Sequence, residues 1–538
     1  MKNIRFLMAA FSAMLLLLGS CTKNFEAINT DPNHITGGNV NFATLFTNAQ
    51  LITSGNSDGN AYEDWRGNLI YSSCMIQHIS STTGYWNGDK YLYSAGYNSA
   101  YWDQNFGPIT SDGNVNTNSS PIQNIVEVVN NTKADAKQVN LYNIARIFKV
   151  FQFQRLTDMY GDIPYSQAGM GYIANTTTPQ YDKQQAIYTD MLNELQDAAS
   201  KLNAGAGNTL GAADLIYGGD VTLWKKFAYS EMVRLAMRLS KVDAANAQKW
   251  VQAAVTGGVF TSNTDNAILK HQDAAPNGAG SQVANGTGSV LGIIDPSSAR
   301  LSKTFVDYLN ATGDPRLPYL GTVVADPGVA TDMGDTVGTH QLGQPNGFDL
   351  SGGASDISHA GNWPGNQNKY SVVNRYTFAR TTAPTFFLTY AETQLLLAEA
   401  AQRGWVTGGV ATYYTNGVTA AMQQLSLQAG AGPAQPAITA YLAANPYNAG
   451  SALQQINTQY WIATFMDGYE AWANWRRSGF PVLTPVAGYP GNVTGGTIPR
   501  RFTYPLAEAG ANPTNYSTAI SGMSGGDKMT SRIWWDKQ

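Results

Sequence analysis

Two cysteines in 538 residues constrain this chain most, because they leave no disulfide framework to hold a fold together. One of them, Cys21, stands directly behind the greasiest run of the sequence, "LLLLGSC". Lys2 and Arg5 precede that run, and its apolar stretch over 6–18 is well short of the ~20 residues that a membrane-spanning helix needs. A basic start, a short apolar segment and the small residues Gly19 and Ser20 read as a secretory signal peptide over 1–20.

A cysteine at the cleavage point resembles a bacterial lipoprotein lipobox. The resemblance implies that Cys21 becomes the first residue of the mature protein and carries acyl chains into outer-membrane lipid. Each buried methylene contributes about 0.8 kcal/mol, and one chain anchors only marginally, so several chains are needed for a firm hold. Cys74 is then the lone thiol, and stability has to come from a buried core.

A net charge of −4 offers no basic footprint for nucleic acid. Charged residues make up only 13%, whereas Gly 54, Tyr 29 and Trp 12 are plentiful, a balance suited to neutral polar ligands. Rings supply flat apolar faces, and amides supply donors and acceptors.

Residues 21–40, with "TKNFEAINTDPNHITGGN", read as a polar tether leading into a domain over 41–538. Leu141, Ile144, Phe148 and Phe151 recur at helical spacing, and the pattern stops near Tyr160, where Gly161 can cap and Pro164 prevents continuation. Further helices are predicted over 187–202, 223–239, 244–255 and 387–403. Periodicity fades over about 261–385, where Gly, Asn, Asp and Pro accumulate in a loop-rich insertion. In "QYWIATFMDGYEAWANWRRSGFPVL", Trp461, Phe465, Trp472 and Trp475 line up at roughly helical offsets, an aromatic stripe assigned to the core.

Catalytic constellations find little support. Glu392 and Glu399 share a helix face and Asp467 lies close to Glu470, as an acid pair for glycoside hydrolysis would require. Arg403 and Arg477, four and seven residues beyond Glu399 and Glu470, make ion pairs the simpler reading. G-x-S-x-G occurs over 55–59 and 522–526 without the strand-to-helix setting of a hydrolase elbow. Cys74 and His78 lie among Ile70, Met75 and Ile79, which points to an inert buried thiol. No metal motif is legible, no cofactor is implied, and a structural calcium bound by loop carboxylates is left open.

Several stretches in order then match one family: "ARIFKVFQFQRLTDMYGDIPYSQA" (145–168), "YAETQLLLAEAAQRGW" (390–405), "EAWANWRRSGFP" (470–481), "IPRRFTYPLAE" (498–508) and "SRIWWD" (531–536). Behind a lipobox and "NTDPN" (29–33), they resemble the SusD/RagB family of Bacteroidetes outer-membrane lipoproteins. The resemblance implies a mainly α fold, with four tetratricopeptide-like helix pairs as scaffold and an irregular ligand-binding region laid over them. It implies a non-enzymatic, outward-facing lid on a SusC-like TonB-dependent transporter, capturing an oligosaccharide or, in some members, a peptide. The competing reading is a lipid-anchored glycoside hydrolase.

Family sites use loop aromatics, which directs attention to two stretches. In "TTGYWNGDKYLY" (82–93), Tyr85, Trp86 and Asn87 sit among turn formers; in "SHAGNWPGNQNKY" (358–370), Asn362 and Trp363 do. These five are the candidate ligand-binding residues, with Trp86→Ala and Trp363→Ala expected to weaken binding without lowering the melting temperature. Trp102, in "SAYWDQNF", is assigned to the core.

Overall fold

Side chains fix where the helices of this chain begin. Asp220 accepts from the backbone N–H groups of Thr222 and Leu223, Asp243 from Asn246, and Asp467 from Glu470, each satisfying donors that a helix start leaves open. Thr389 and Glu392 form a reciprocal capping box. The computed structural model describes residues 40–56, 58–107, 120–207, 210–273 and 283–537. Cys21 and the tether expected over 21–40, apart from Val40, lie outside the described residues.

The helices that matter here are α1 (Ala95–Phe106), α2 (Pro121–Thr132), α3 (Val139–Tyr160), α4 (Gln184–Lys201), α5 (Val221–Arg238), α6 (Ala244–Gly257), α7 (Tyr390–Gln402), α8 (Val410–Gln423), α9 (Ala452–Ala463) and α10 (Gly468–Ser478). Consecutive helices pair as α3 with α4, α5 with α6, α7 with α8 and α9 with α10, with α2 packed on α3. The pairs then stack, α4 on α5, α5 on α7, α7 on α9 and α10 on α3, within the unit Ala43–Gln538. This is a tetratricopeptide-like scaffold: a pair cannot bury both faces alone, and stacking does it.

Strands are short and form antiparallel pairs. β1 (Ile79–Ser81) pairs with β5 (Ala299–Leu301), β2 (Ile163–Pro164) with β3 (Tyr181–Asp182), β4 (Ala267–Leu269) with β8 (Thr385–Leu388), and β6 (Gly321–Thr322) with β7 (Val372–Val373). The insertion expected to be irregular over 261–385 therefore contains β4 to β7 and the helix Lys303–Ala311. The helix expected from 387 begins instead at Tyr390, because the capping box at Thr389 ends the strand before it. The aromatic stripe is buried as assigned but split between α9 and α10, where Met466 takes φ +71° and Asp467 starts the new helix.

The carboxylates weighed as an acid pair lie inside the scaffold, bonded to arginines. Arg238 of α5 grips Glu470 of α10 with two bonds of 2.7 Å and reaches Asp158 of α3 at 3.2 Å. Arg234 of α5 bonds Glu392 of α7 at 2.7 Å, and Tyr460 of α9 donates to both Glu470 (2.7 Å) and Glu392 (3.1 Å). The partner of Glu470 is thus Arg238, not Arg477. Arg477 holds Glu399 through two bonds of 2.7 Å, joined by Arg403 at 2.8 Å and Asn457 at 3.0 Å. Burial pushes the Glu399 carboxyl up, but Arg477 and Arg403 outweigh it and bring it down to about 2.

Candidate ligand-binding site

The β1–β5 pairing sets the loop 82–93 beside the turn 290–298. Thr82 donates its N–H to Ser298 O at 2.9 Å, and Tyr85 and Trp86 both reach Asp295. The Tyr85 hydroxyl donates to Asp295 Oδ2 at 2.5 Å and lies 3.0 Å from Ser298 Oγ, while its ring remains 47% exposed. Burial and the Asp295 carboxylate push the phenol up to about 12, so Tyr85 is a neutral donor.

Trp86 departs from expectation. It is 0% exposed, and its indole N–H donates to the same Asp295 oxygen at 2.5 Å, so it offers no face to a ligand in this arrangement. Two donors converging on one carboxylate pull the indole inward and leave Tyr85 outside. Asn87 is also buried, and its backbone carbonyl accepts from the N–H groups of Lys90 and Leu92.

Trp363 is half-buried, its ring centroid 6.3 Å from that of buried Tyr370. Asn362 donates to Gly343 O at 2.9 Å and lies 3.2 Å from the Tyr370 hydroxyl. This pair fastens the loop 358–370 down while leaving part of the indole uncovered. Trp363 packs on Tyr370 whereas Tyr85 is held by Asp295 and Ser298, so the two stretches are anchored to different residues. Trp102 is in the core against Tyr160, Tyr181 and Tyr504.

Further aromatic and charged residues that the sequence does not single out lie on the neighbouring helices. Trp65 and Arg66 lie in the first turn of a π-helix, Asp64–Ser73, and the Arg66 guanidinium lies 3.9 Å from the Tyr62 ring centroid and 5.8 Å from that of Trp65. Tyr97 of α1 is within electrostatic reach of both Arg66 and Asp295, and Ile293 is exposed on the turn. Tyr85 and Tyr97, both partly exposed, thus lie close to the Asp295 carboxylate, with Arg66 near Tyr97. Such a surface can stack against apolar C–H faces and hydrogen-bond hydroxyls.

The remaining catalytic candidates do not form reactive sites. Cys74 and His78 are fully buried, and the His78 ring packs on Phe305, Trp461 and Phe465 with Nε2 2.8 Å from Trp461 O. Burial lowers His78 to about 3 and raises the Cys74 thiol, removing both base and thiolate. Residues 522–526 follow the helix Pro513–Ser521 as turns, without a preceding strand, and Ser57 of the other match lies outside the described residues. Among the described residues no group of three or more His, Cys, Asp or Glu side chains gathers as a metal site, and no helix is long and apolar enough to cross a membrane.

No curated protein matches the chain. Among solved structures, a chitin-binding protein is 35% identical, with 93% of this chain and 100% of that chain covered and a TM-score of 0.78. A Bacteroidetes SusD-like protein is 26% identical over the same shares, also at 0.78. A SusD homolog from Bacteroides uniformis, 23% identical over 93% of this chain and 100% of its own at 0.72, shares the fold. Residues 32–505 match the family model described as "Starch-binding associating with outer membrane", and the chain belongs to the SusD-like family.

Proposed function

We propose that this protein is a lipid-anchored glycan-binding lid, displayed on the outer face of the outer membrane, that passes a captured oligosaccharide to a SusC-like TonB-dependent transporter. The observation that carries the reading is Tyr85: an exposed ring whose hydroxyl is tied to the Asp295 carboxylate below, with Tyr97 near the same carboxylate. A ring held in place loses little entropy when a sugar stacks on it. The 35%-identical relative is a chitin-binding protein, which favours N-acetylglucosamine oligomers as the ligand class. The lid performs no chemistry. Ligand that binds the closed arrangement better than the open one shifts the population toward closure by that difference in affinity.

Calorimetric titration of the mature protein with N-acetylglucosamine oligomers tests the binding claim. Tyr85→Ala is expected to weaken binding about tenfold, the equivalent of about 1.4 kcal/mol, at an unchanged melting temperature. Absence of binding by the wild type, or equal affinity in both proteins, would remove the reading. Native purification from detergent-solubilised membranes is expected to bring down a large β-barrel, and Cys21→Ala to leave the membrane fraction.

A further inference from the structure

Below the exposed Tyr85 lies a chain of buried polar contacts that leads to a second aromatic pocket. Lys90 is fully buried, and its ammonium donates to Thr83 O (3.3 Å), Trp86 O (3.0 Å) and Asp89 Oδ1 (2.9 Å), with Asp349 Oδ2 at 3.7 Å. Asp349 Oδ2 in turn accepts the Tyr489 hydroxyl at 2.7 Å. Tyr489 and Tyr85 are thus tied to the same buried core, one through Asp349 and Lys90, the other through Asp295, which also holds Trp86. A buried charge network with its partners in place is rigid, so the two rings are held in fixed relation.

Tyr489 forms the wall of an open pocket of about 550 Å³, lined also by Phe348, Asn346, Lys303 and Ser355. That volume lies within the ~300–1,000 Å³ of ordinary small-molecule sites. The walls meet closely: Gly347 takes φ +83°, and a Cβ there would lie 2.5 Å from Val486, so glycine lets the two loops meet. Between this pocket and Tyr85 runs the segment 349–351. Leu350 donates its N–H to Thr82 O at 2.8 Å and exposes half its side chain, and Ser351 Oγ would be 2.9 Å from a Cβ on Gly84. The surface between the two rings is therefore continuous protein.

We propose that the pocket walled by Phe348 and Tyr489 is a second subsite of the glycan-binding face, so that the ligand is an oligosaccharide long enough to lie on Tyr85 and reach Tyr489 at once. This rests on the glycan reading of Tyr85 given above. Two subsites on one rigid floor act as linked modules: the second contact is made without a second loss of translational freedom, and affinity rises with chain length until both are filled. A disaccharide occupies one ring only. The charged groups of the pocket, Lys303 and Asp307, pair with each other, and its other polar side chains are neutral amides and hydroxyls, which suits an uncharged sugar.

The test is calorimetric titration of the mature protein with the N-acetylglucosamine disaccharide and hexasaccharide. The wild type is expected to bind the hexasaccharide about tenfold more tightly than the disaccharide. Tyr489→Ala is expected to abolish that increment. Tyr489→Phe, which keeps the ring and loses only the bond to Asp349, is expected to retain it, and Phe348→Ala supplies a second variant should Tyr489→Ala lower the melting temperature. Equal affinity of the wild type for both sugars, or an increment that survives both Tyr489→Ala and Phe348→Ala, would overturn the second subsite and leave the Tyr85 reading intact. Failure of both sugars to bind the wild type would remove both.

Discussion

Replacing Glu399 by Gln tests whether the scaffold depends on buried charge. The residue is 1% exposed, is held by Arg477, Arg403 and Asn457, and has its carboxyl lowered from 4.5 to about 2, so solvent screening is weak. A depression of that size corresponds to about 3 kcal/mol of folding stability at neutral pH. Unfolding entropy of about 2 cal/mol/K per residue gives a body of this length roughly 1 kcal/mol/K, so the loss appears as a fall of about 3 °C in the melting temperature. The sign with pH follows from the direction of the shift. A carboxyl with a depressed folded-state pKa contributes fully above the unfolded value of 4.5, and the contribution is lost as pH falls from there through about 2. The gap between wild type and Glu399→Gln should therefore shrink to about half by pH 3. Differential scanning calorimetry at pH 7 and pH 3 measures it. A gap under about 1 °C at pH 7, or one that does not change with pH, would refute the argument.

The opposite sign is expected at Glu63. Burial raises its carboxyl to about 7, and Asp64, buried beside it, is raised too. The folded state holds a proton that the unfolded chain releases near 4.5, so this stability is complete below that value and is lost as pH rises through about 7. Glu63→Gln, which can still accept from Tyr469, should flatten the decline in melting temperature between pH 5 and 8.5; an equally steep decline would count against it. Trp86→Ala should lower the melting temperature by several degrees, since emptying a buried tryptophan site costs about 3–5 kcal/mol and removes a donor from Asp295. An unchanged melting temperature would mean that the ring is not packed as described.

How far the sequence anticipated the structure depends on the range over which each feature is decided. The end of α3 was legible because Gly161 and Pro164 are neighbours of Tyr160, and Gly161 does take a positive φ of 88° at the cap. The starts of α4 and α5 are displaced by a turn or less from the apolar pattern, which registers the first buried residue rather than the cap. Trp86 was misplaced because the residue that draws it inward, Asp295, is distant in sequence and adjacent only through the β1–β5 pairing. Tyr489 and Phe348 carry no local sign of a pocket, since the loops that form it meet only in the fold. The sequence implies an ion pair for Glu470, but its partner on α5 is invisible to a rule about neighbours along one helix.

The closing of the scaffold also has an order in time. Asp158, in the first third of the chain, accepts from Tyr188, Arg238 and the indole of Trp535, the last coming from the final residues of the sequence. Arg500 and Arg532 both clasp Asp536, which fastens that terminal segment in place. A chain emerging N-terminus first therefore offers its earliest helices no finished interior until its last residues have arrived. A product that stops short of Trp535 therefore carries Asp158 without its indole donor and Arg500 without Asp536, so the helices packed around them lose a shared fastening.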